Sequence, residues 1–175
     1  NATNEDVYCY NQSTQDNEND SIKNLYLWEL NNNSILEVYA PFEGDENPDT
    51  TVDYLGEYNF STFATWNSSG GYDGFGAYEF DSDADDYLSV SSLTNYDFGT
   101  DDFAYSFRVR FNNLVNHHRF VSQWEGSNDR WTFYRHNNDN VQFFLTNGGS
   151  VLANYVWSWN STSSPTIQVD KWYHL

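Results

Sequence analysis

The chain has 175 residues, a formal net charge of -19 and 19% aromatic residues, with seven Trp, no Met and one Cys. This length supports one domain with a substantial core, and the abundance of Phe, Tyr and Trp excludes the disordered class, which is poor in aromatics. Seven Lys and Arg against 26 Asp and Glu repel phosphate backbones and anionic headgroups, which argues against nucleic acid or direct membrane contact as partners and favours cations.

In chain order, residues 1–24 are rich in Asn, Asp, Glu, Gln, Ser and Thr and predict an extended polar arm or linker. Without Met, the chain is expected to be a processed or trimmed product. No apolar run approaches the roughly 20 residues of a membrane span. Cys9, as the single cysteine, has no intrachain disulfide partner. From Leu25 the texture changes: Leu25–Leu30 and Ile35–Phe42 are strand-like runs around Asn31-Asn-Asn-Ser34, a turn composition. Short strands are expected at Ala77–Phe80, Tyr87–Val90, Arg119–Trp124, Arg130–Arg135, Val141–Leu145, Val151–Trp159 and Thr166–Val169. The strongest period-2 signal is Phe103–Phe111, with Phe103, Tyr105, Phe107, Val109 and Phe111 on one face and Arg108 and Arg110 on the other. Asn137-Asn-Asp-Asn140 and Asn147-Gly-Gly149 supply the positive φ angles that hairpin turns need. No helical stripe competes, so the pattern predicts an all-β antiparallel sandwich.

The segments Val38-Tyr-Ala-Pro-Phe-Glu-Gly44, Asp53-Tyr-Leu-Gly-Glu-Tyr-Asn59, Gly74-Phe-Gly-Ala-Tyr-Glu-Phe-Asp81, Asp85-Asp-Tyr-Leu-Ser-Val90 and Phe103–Arg110 follow one another in an order and spacing with a family counterpart. Over about residues 36–175 the chain resembles the laminin G-like domain of the concanavalin A-like lectin/glucanase superfamily. The resemblance implies a jelly-roll β-sandwich spanning residues 25–175 behind the polar arm. It also implies that Asp170-Lys-Trp-Tyr-His-Leu175 opens a strand after which a complete domain would continue. The expectation is therefore a fragment, or a sheet completed by a neighbouring chain.

Candidate chemistry divides into three kinds. For catalysis, retaining glucanases of the superfamily carry Glu-x-Asp-x-x-Glu, and Glu79-Phe-Asp81 begins that pattern, but Ala84 stands where the second catalytic carboxylate belongs. No nucleophile-elbow sequence is present, and the chain is expected not to be an enzyme. For metals, Asp81-x-Asp83-x-Asp85 starts like a calcium loop, yet Asp86 replaces its Gly and Ser92 its closing Glu. His117-His118 makes a poor pair because adjacent strand residues face opposite ways. The family resemblance instead implies calcium at the sandwich rim, with Asp53 and Asn59 as ligands and Glu43 as a third; solvated loop acids are the alternative. For ligands, Tyr155, Trp157 and Trp159 share a strand face that either stacks on a sugar or lines the core. Arg108, Arg110, Trp124 and Arg130 are further face residues.

Asn-X-Ser/Thr sequons at Asn1, Asn11, Asn19, Asn32, Asn59, Asn67 and Asn160 point to an exported glycoprotein. The combined expectation is a noncatalytic extracellular adhesion module of a surface or appendage protein, binding a glycan or a surface protein. The alternative is a structural subunit of an extracellular filament or virion fibre, assembled from copies of itself; a glucanase relative is the third reading.

Overall fold

A computed structural model describes residues 8–12, 14–18, 22, 24–42, 50–56, 58–81, 85–90, 102–124, 126, 128–158 and 166–175. Among them every regular element is a β-strand and every pairing is antiparallel. The all-β expectation therefore holds. Among the described residues no helix is long and apolar enough to cross a membrane. The chain divides into two compact units, residues 1–96 and 97–175.

In the first unit, β1 (Glu29–Leu30) and β2 (Asn33–Ser34) form a hairpin. Asn31 and Asn32 turn it with φ of 55° and 65°, the left-handed pair that a primed two-residue turn requires and Asn tolerates. The strands expected on either side are much shorter or absent. Residues 36–42 spend their backbone groups elsewhere: the Tyr39 N–H donates to the Asp53 carboxylate at 2.8 Å. The Tyr39 carbonyl accepts from the Tyr54 N–H at 2.8 Å, and the Phe42 carbonyl accepts from Trp66 Nε1 at 3.3 Å. Strands β3 (Thr50–Val52), β4 (Asn59–Thr62), β5 (Thr65–Asn67), β6 (Ala77–Glu79) and β7 (Leu88–Ser89) complete the unit. They form a three-stranded sheet in the order β3-β4-β7 and a β5-β6 pair. Among the described residues here Tyr78 is the one buried large apolar side chain, set edge-on to Phe42 with ring centroids 5.7 Å apart. The other buried side chains are Thr51, Asp53 and Thr62.

The second unit contains β8 (Arg108–Arg110), β9 (His118–Trp124), β10 (Arg130–Arg135), β11 (Asn140–Asn147), β12 (Ser150–Ser158) and β13 (Trp172–His174). Four of these make a sheet in the order β12-β11-β10-β9, and β13 pairs with β8. Asp139, with φ 65°, and Gly148 and Gly149, with φ 55° and 76°, turn the two hairpins. The strand expected at Thr166–Val169 is not formed; that chain runs into a turn at Asp170, with φ 57°, whose N–H is held by the Phe111 carbonyl at 2.8 Å.

The alternating face of Phe103–Phe111 lies across the four-stranded sheet. Phe103 meets Phe143 at 5.5 Å between centroids, Tyr105 stacks on Trp131 at 5.7 Å, and Phe107 contacts Phe120 at 5.0 Å and Phe133 at 5.9 Å. Phe111 reaches His118 and Phe120. Period-2 alternation thus becomes the aromatic layer of a two-layer core.

An ion pair between a buried Arg135 and a half-buried Asp139 closes one end of that core. Arg135 is 1% exposed and its guanidinium donates to the carbonyls of Leu114 and Asn116 and to the Asp139 carboxylate, while packing over the Phe111 ring. The cation ties the loop before β9 to the β10-β11 turn.

Candidate functional site

Of the expected calcium ligands, Asp53 is fully buried at 0% exposure. One carboxylate oxygen, Oδ1, accepts from the N–H groups of Tyr39 and Leu55, at 2.8 and 3.1 Å. Oδ2 is buried with no hydrogen-bond partner. Burial, and the neighbouring Tyr54 in second place, raise the Tyr39 phenol above its ordinary pKa. Asn59 does not share this position: it is exposed beside the exposed Val52, its partner across β3-β4, whereas Asp53 turns inward. Glu43 lies outside the described residues. No group of three or more His, Cys, Asp or Glu converges on a metal position among the described residues.

Among the sequons, Asn11, Asn32 and Asn59 are exposed, Asn32 at the tip of the first hairpin, and Asn11 Oδ1 accepts from the Thr14 hydroxyl. The Asn67 side-chain amide is engaged: its Nδ2 donates to the Glu79 carboxylate at 2.8 Å and its Oδ1 accepts from the Ser69 N–H at 3.1 Å. Asn1, Asn19 and Asn160 lie outside the described residues, as does Trp159.

Tyr155 and Trp157 do share a face. They stand opposite Phe143 and Val141 in the β11-β12 register, and Trp157 sets its edge against Phe133 at 6.3 Å. They therefore extend the core-side aromatic row onto the edge strand, where they remain 62% and 54% exposed.

The opposite face of the same sheet carries a constellation that only part of the sequence reading anticipated. His117, Arg119, Trp124, Arg130, Thr132, Tyr134, His136 and Phe144 line a shallow concavity of about 210 Å³. Arg130, Thr132, Tyr134 and His136 come from alternate positions along and just beyond β10. Trp124 sits directly across from Arg130. Arg130 lies over the Trp124 ring at 4.9 Å and over Phe144 at 5.6 Å, and Arg119 approaches the same Trp124 ring at 5.8 Å. His117 pairs with His136, ring centroids 4.3 Å apart, and His118 turns to the other side against Phe111. The Tyr134 hydroxyl donates to Gln142 Oε1.

A β-bulge makes this cluster. Arg119 and Trp124 are five residues apart, so a regular strand would place them on opposite faces. Register shifts between Phe133 and Tyr134, which pair with Val121 and Arg119 respectively, leaving Phe120 as the extra residue. That one insertion returns Arg119 to the Trp124 face, a re-aiming that bulges commonly perform. Trp124 and Arg130 are legible in the sequence as face residues; Arg119, Thr132, Tyr134 and His136 are not, and His117 is legible only as half of a poor metal pair with His118. The alternation in Arg130–His136 is the signal that could have gathered the β10 members.

No known family model matches the chain, and no curated protein matches it. Its fold is similar to the crystal structure at 2.1 Å of residues 221–444 of an S-layer domain-containing protein from Clostridium thermocellum, with TM-score 0.55 and 14% identity. The likeness covers 75% of this chain and spans 60% of that one.

Proposed function

We propose that the chain is a noncatalytic extracellular recognition module of a surface or appendage protein, binding a glycan or a surface protein. The observation that supports this most is the concavity on the β9-β12 sheet, which offers aromatic surface and side-chain hydrogen-bond donors without a pair of carboxylates to cleave a glycosidic bond. The laminin G-like resemblance and the fold likeness to an S-layer domain-containing protein support a cell-surface location. A jelly-roll sandwich and glycans at the exposed sequons Asn11, Asn32 and Asn59 belong to the same reading.

Calcium is part of the proposal at Asp53 alone among the described residues. Its buried, unpartnered Oδ2 is a hard oxygen donor suited to that ion. Bound calcium would neutralise the buried carboxylate and brace the Asp53 turn.

The experiment is a glycan and surface-protein array probed with the folded chain in calcium, beside a Trp124→Ala variant whose melting curve is recorded first. The reading expects signal from the parent chain and its loss in a folded variant. A parent chain that binds nothing on either array, or an equal signal from the variant, sinks it.

One observation favours the structural-subunit alternative. β12 is a nine-residue edge strand with Val151, Leu152, Tyr155, Val156 and Trp157 all exposed, and such an edge invites strand addition from another copy. Sedimentation across protein concentration decides this alternative: concentration-dependent assembly that Val156→Lys suppresses supports it, and a strict monomer removes it.

A further inference from the structure

We propose that the ligand of the β9-β12 concavity is a saccharide carrying an anionic substituent, which Arg119 and Arg130 grip while Thr132, Tyr134 and His136 meet its hydroxyl groups. The inference rests on the recognition function proposed above and narrows it to one chemistry.

Three observations point to an anion. First, the chain holds five Arg against 26 acidic residues, yet two of those Arg lie against the same indole ring, in a lining without Asp or Glu. An anion entering a lining that holds two cations and no carboxylate is attracted by both charges. Second, Arg130 Nε is buried with no hydrogen-bond partner among the described residues. Stacking on Trp124 and Phe144 satisfies the faces of its guanidinium, and the N–H edge remains for a planar or tetrahedral oxyanion. Third, Thr132 is only 7% exposed and its Oγ1 is also buried without a partner, although the residue lines the concavity. A buried hydroxyl left unsatisfied costs free energy that a ligand hydroxyl would recover.

The rest of the lining favours a saccharide over a bare ion. The Tyr134 hydroxyl, which donates to Gln142 Oε1 and keeps an oxygen lone pair, and the His136 imidazole line the same concavity, and both can hydrogen-bond ring hydroxyls. Trp124 is half exposed and acts as a positioning residue, orienting both guanidiniums. The volume, about 210 Å³, is below the roughly 300–1,000 Å³ of drug-sized pockets, so one charged sugar unit of a longer chain is the natural occupant.

Titration calorimetry on the full chain tests this with four probes of similar length: oligogalacturonate for carboxylate, a sulfated galactan oligosaccharide for sulfate, a neutral galactan oligosaccharide, and oligoglutamate. Binding of either acidic saccharide, at least about tenfold tighter than the neutral one and the peptide, is the expected result, with the better acid naming the substituent. Arg119→Gln and Arg130→Gln should each weaken it by at least about tenfold, and Thr132→Val by less. Arg119 is exposed, so its variant keeps the test usable if Arg130→Gln does not fold. Equal binding of the neutral saccharide overturns this inference and leaves the recognition function standing. Preference for oligoglutamate makes the site a peptide site and overturns it too. Undiminished affinity in a folded Arg119→Gln variant places the anion elsewhere, and no binding by any probe overturns it while the array result still judges the wider function.

Discussion

The two units bury different things. Among the described residues, 97–175 bury four large apolar side chains, Phe111, Trp131, Val141 and Ile167, beside Thr132, Arg135 and Thr146, with one group of ring contacts about Trp131 and another about Phe111 and Phe120. Among the described residues, 1–96 bury one ring, Tyr78, with two threonines and Asp53. Their order comes from hydrogen bonds that converge on the Asp53 turn. Apolar burial is proportional to area and tolerant of direction, whereas a buried carboxylate acts through two or three oriented bonds. One unit should therefore respond mainly to lost volume and the other to a lost acceptor or bound ion.

The largest expected effect is in the second unit. Phe111→Ala, removing a ring 3% exposed, should cost about 3–5 kcal/mol in chemical denaturation. A loss below 1 kcal/mol would mean that the two layers do not depend on one another. Next comes Asp139→Asn, which keeps a residue tolerant of positive φ but leaves the Arg135 guanidinium buried without its carboxylate. About 3 kcal/mol should be lost, and equal denaturation midpoints for variant and parent would show the pair to be dispensable. In the first unit, Asp53→Ala deprives two N–H groups of their acceptor and should cost about 2 kcal/mol. If calcium binds there, a chelator lowers the parent melting temperature and leaves the variant unchanged; a parent curve indifferent to chelator ends the calcium proposal.

The smallest effect is a pH dependence. Burial first, then the Arg135 charge, lowers the His118 pKa below its ordinary 6.5. The folded state then resists a proton that the unfolded chain accepts. Stability is full above pH 6.5 and falls as pH drops from there through the folded pKa. Melting temperatures from about pH 5 to pH 8 should show this decline, and His118→Gln should flatten it.

Much of the second unit was readable in advance. Arg130–Arg135 was anticipated residue for residue, and β9, β11 and β12 were placed to within a few positions. The first unit is less legible: β3, β4 and β5 carry no readable period, and Ile35–Phe42 has a strand-like pattern yet forms no strand. Three- and four-residue strands hold too few alternations to show a period, and nothing local reveals that a carboxylate at position 53 will occupy the backbone of residue 39. The candidate site was half legible for the same reason. Trp124 and Arg130 were visible as face residues, but their meeting depends on cross-strand register.

By itself the sequence determined the all-β class, the Asn- and Gly-built turns and the inward face of Phe103–Phe111. These depend on interactions within a few residues: steric limits on φ and the alternation of a pleated chain. Tertiary structure decided which surfaces those faces became. It placed Tyr155 and Trp157 on the edge strand of the sheet among the described residues, sent Asp53 inward and Asn59 outward, and, through the single extra residue at Phe120, brought Arg119 round to Trp124. Each of these depends on which strand lies beside which and in what register, and pairing of that kind is settled only when distant segments compete for the same edges and the same buried volume.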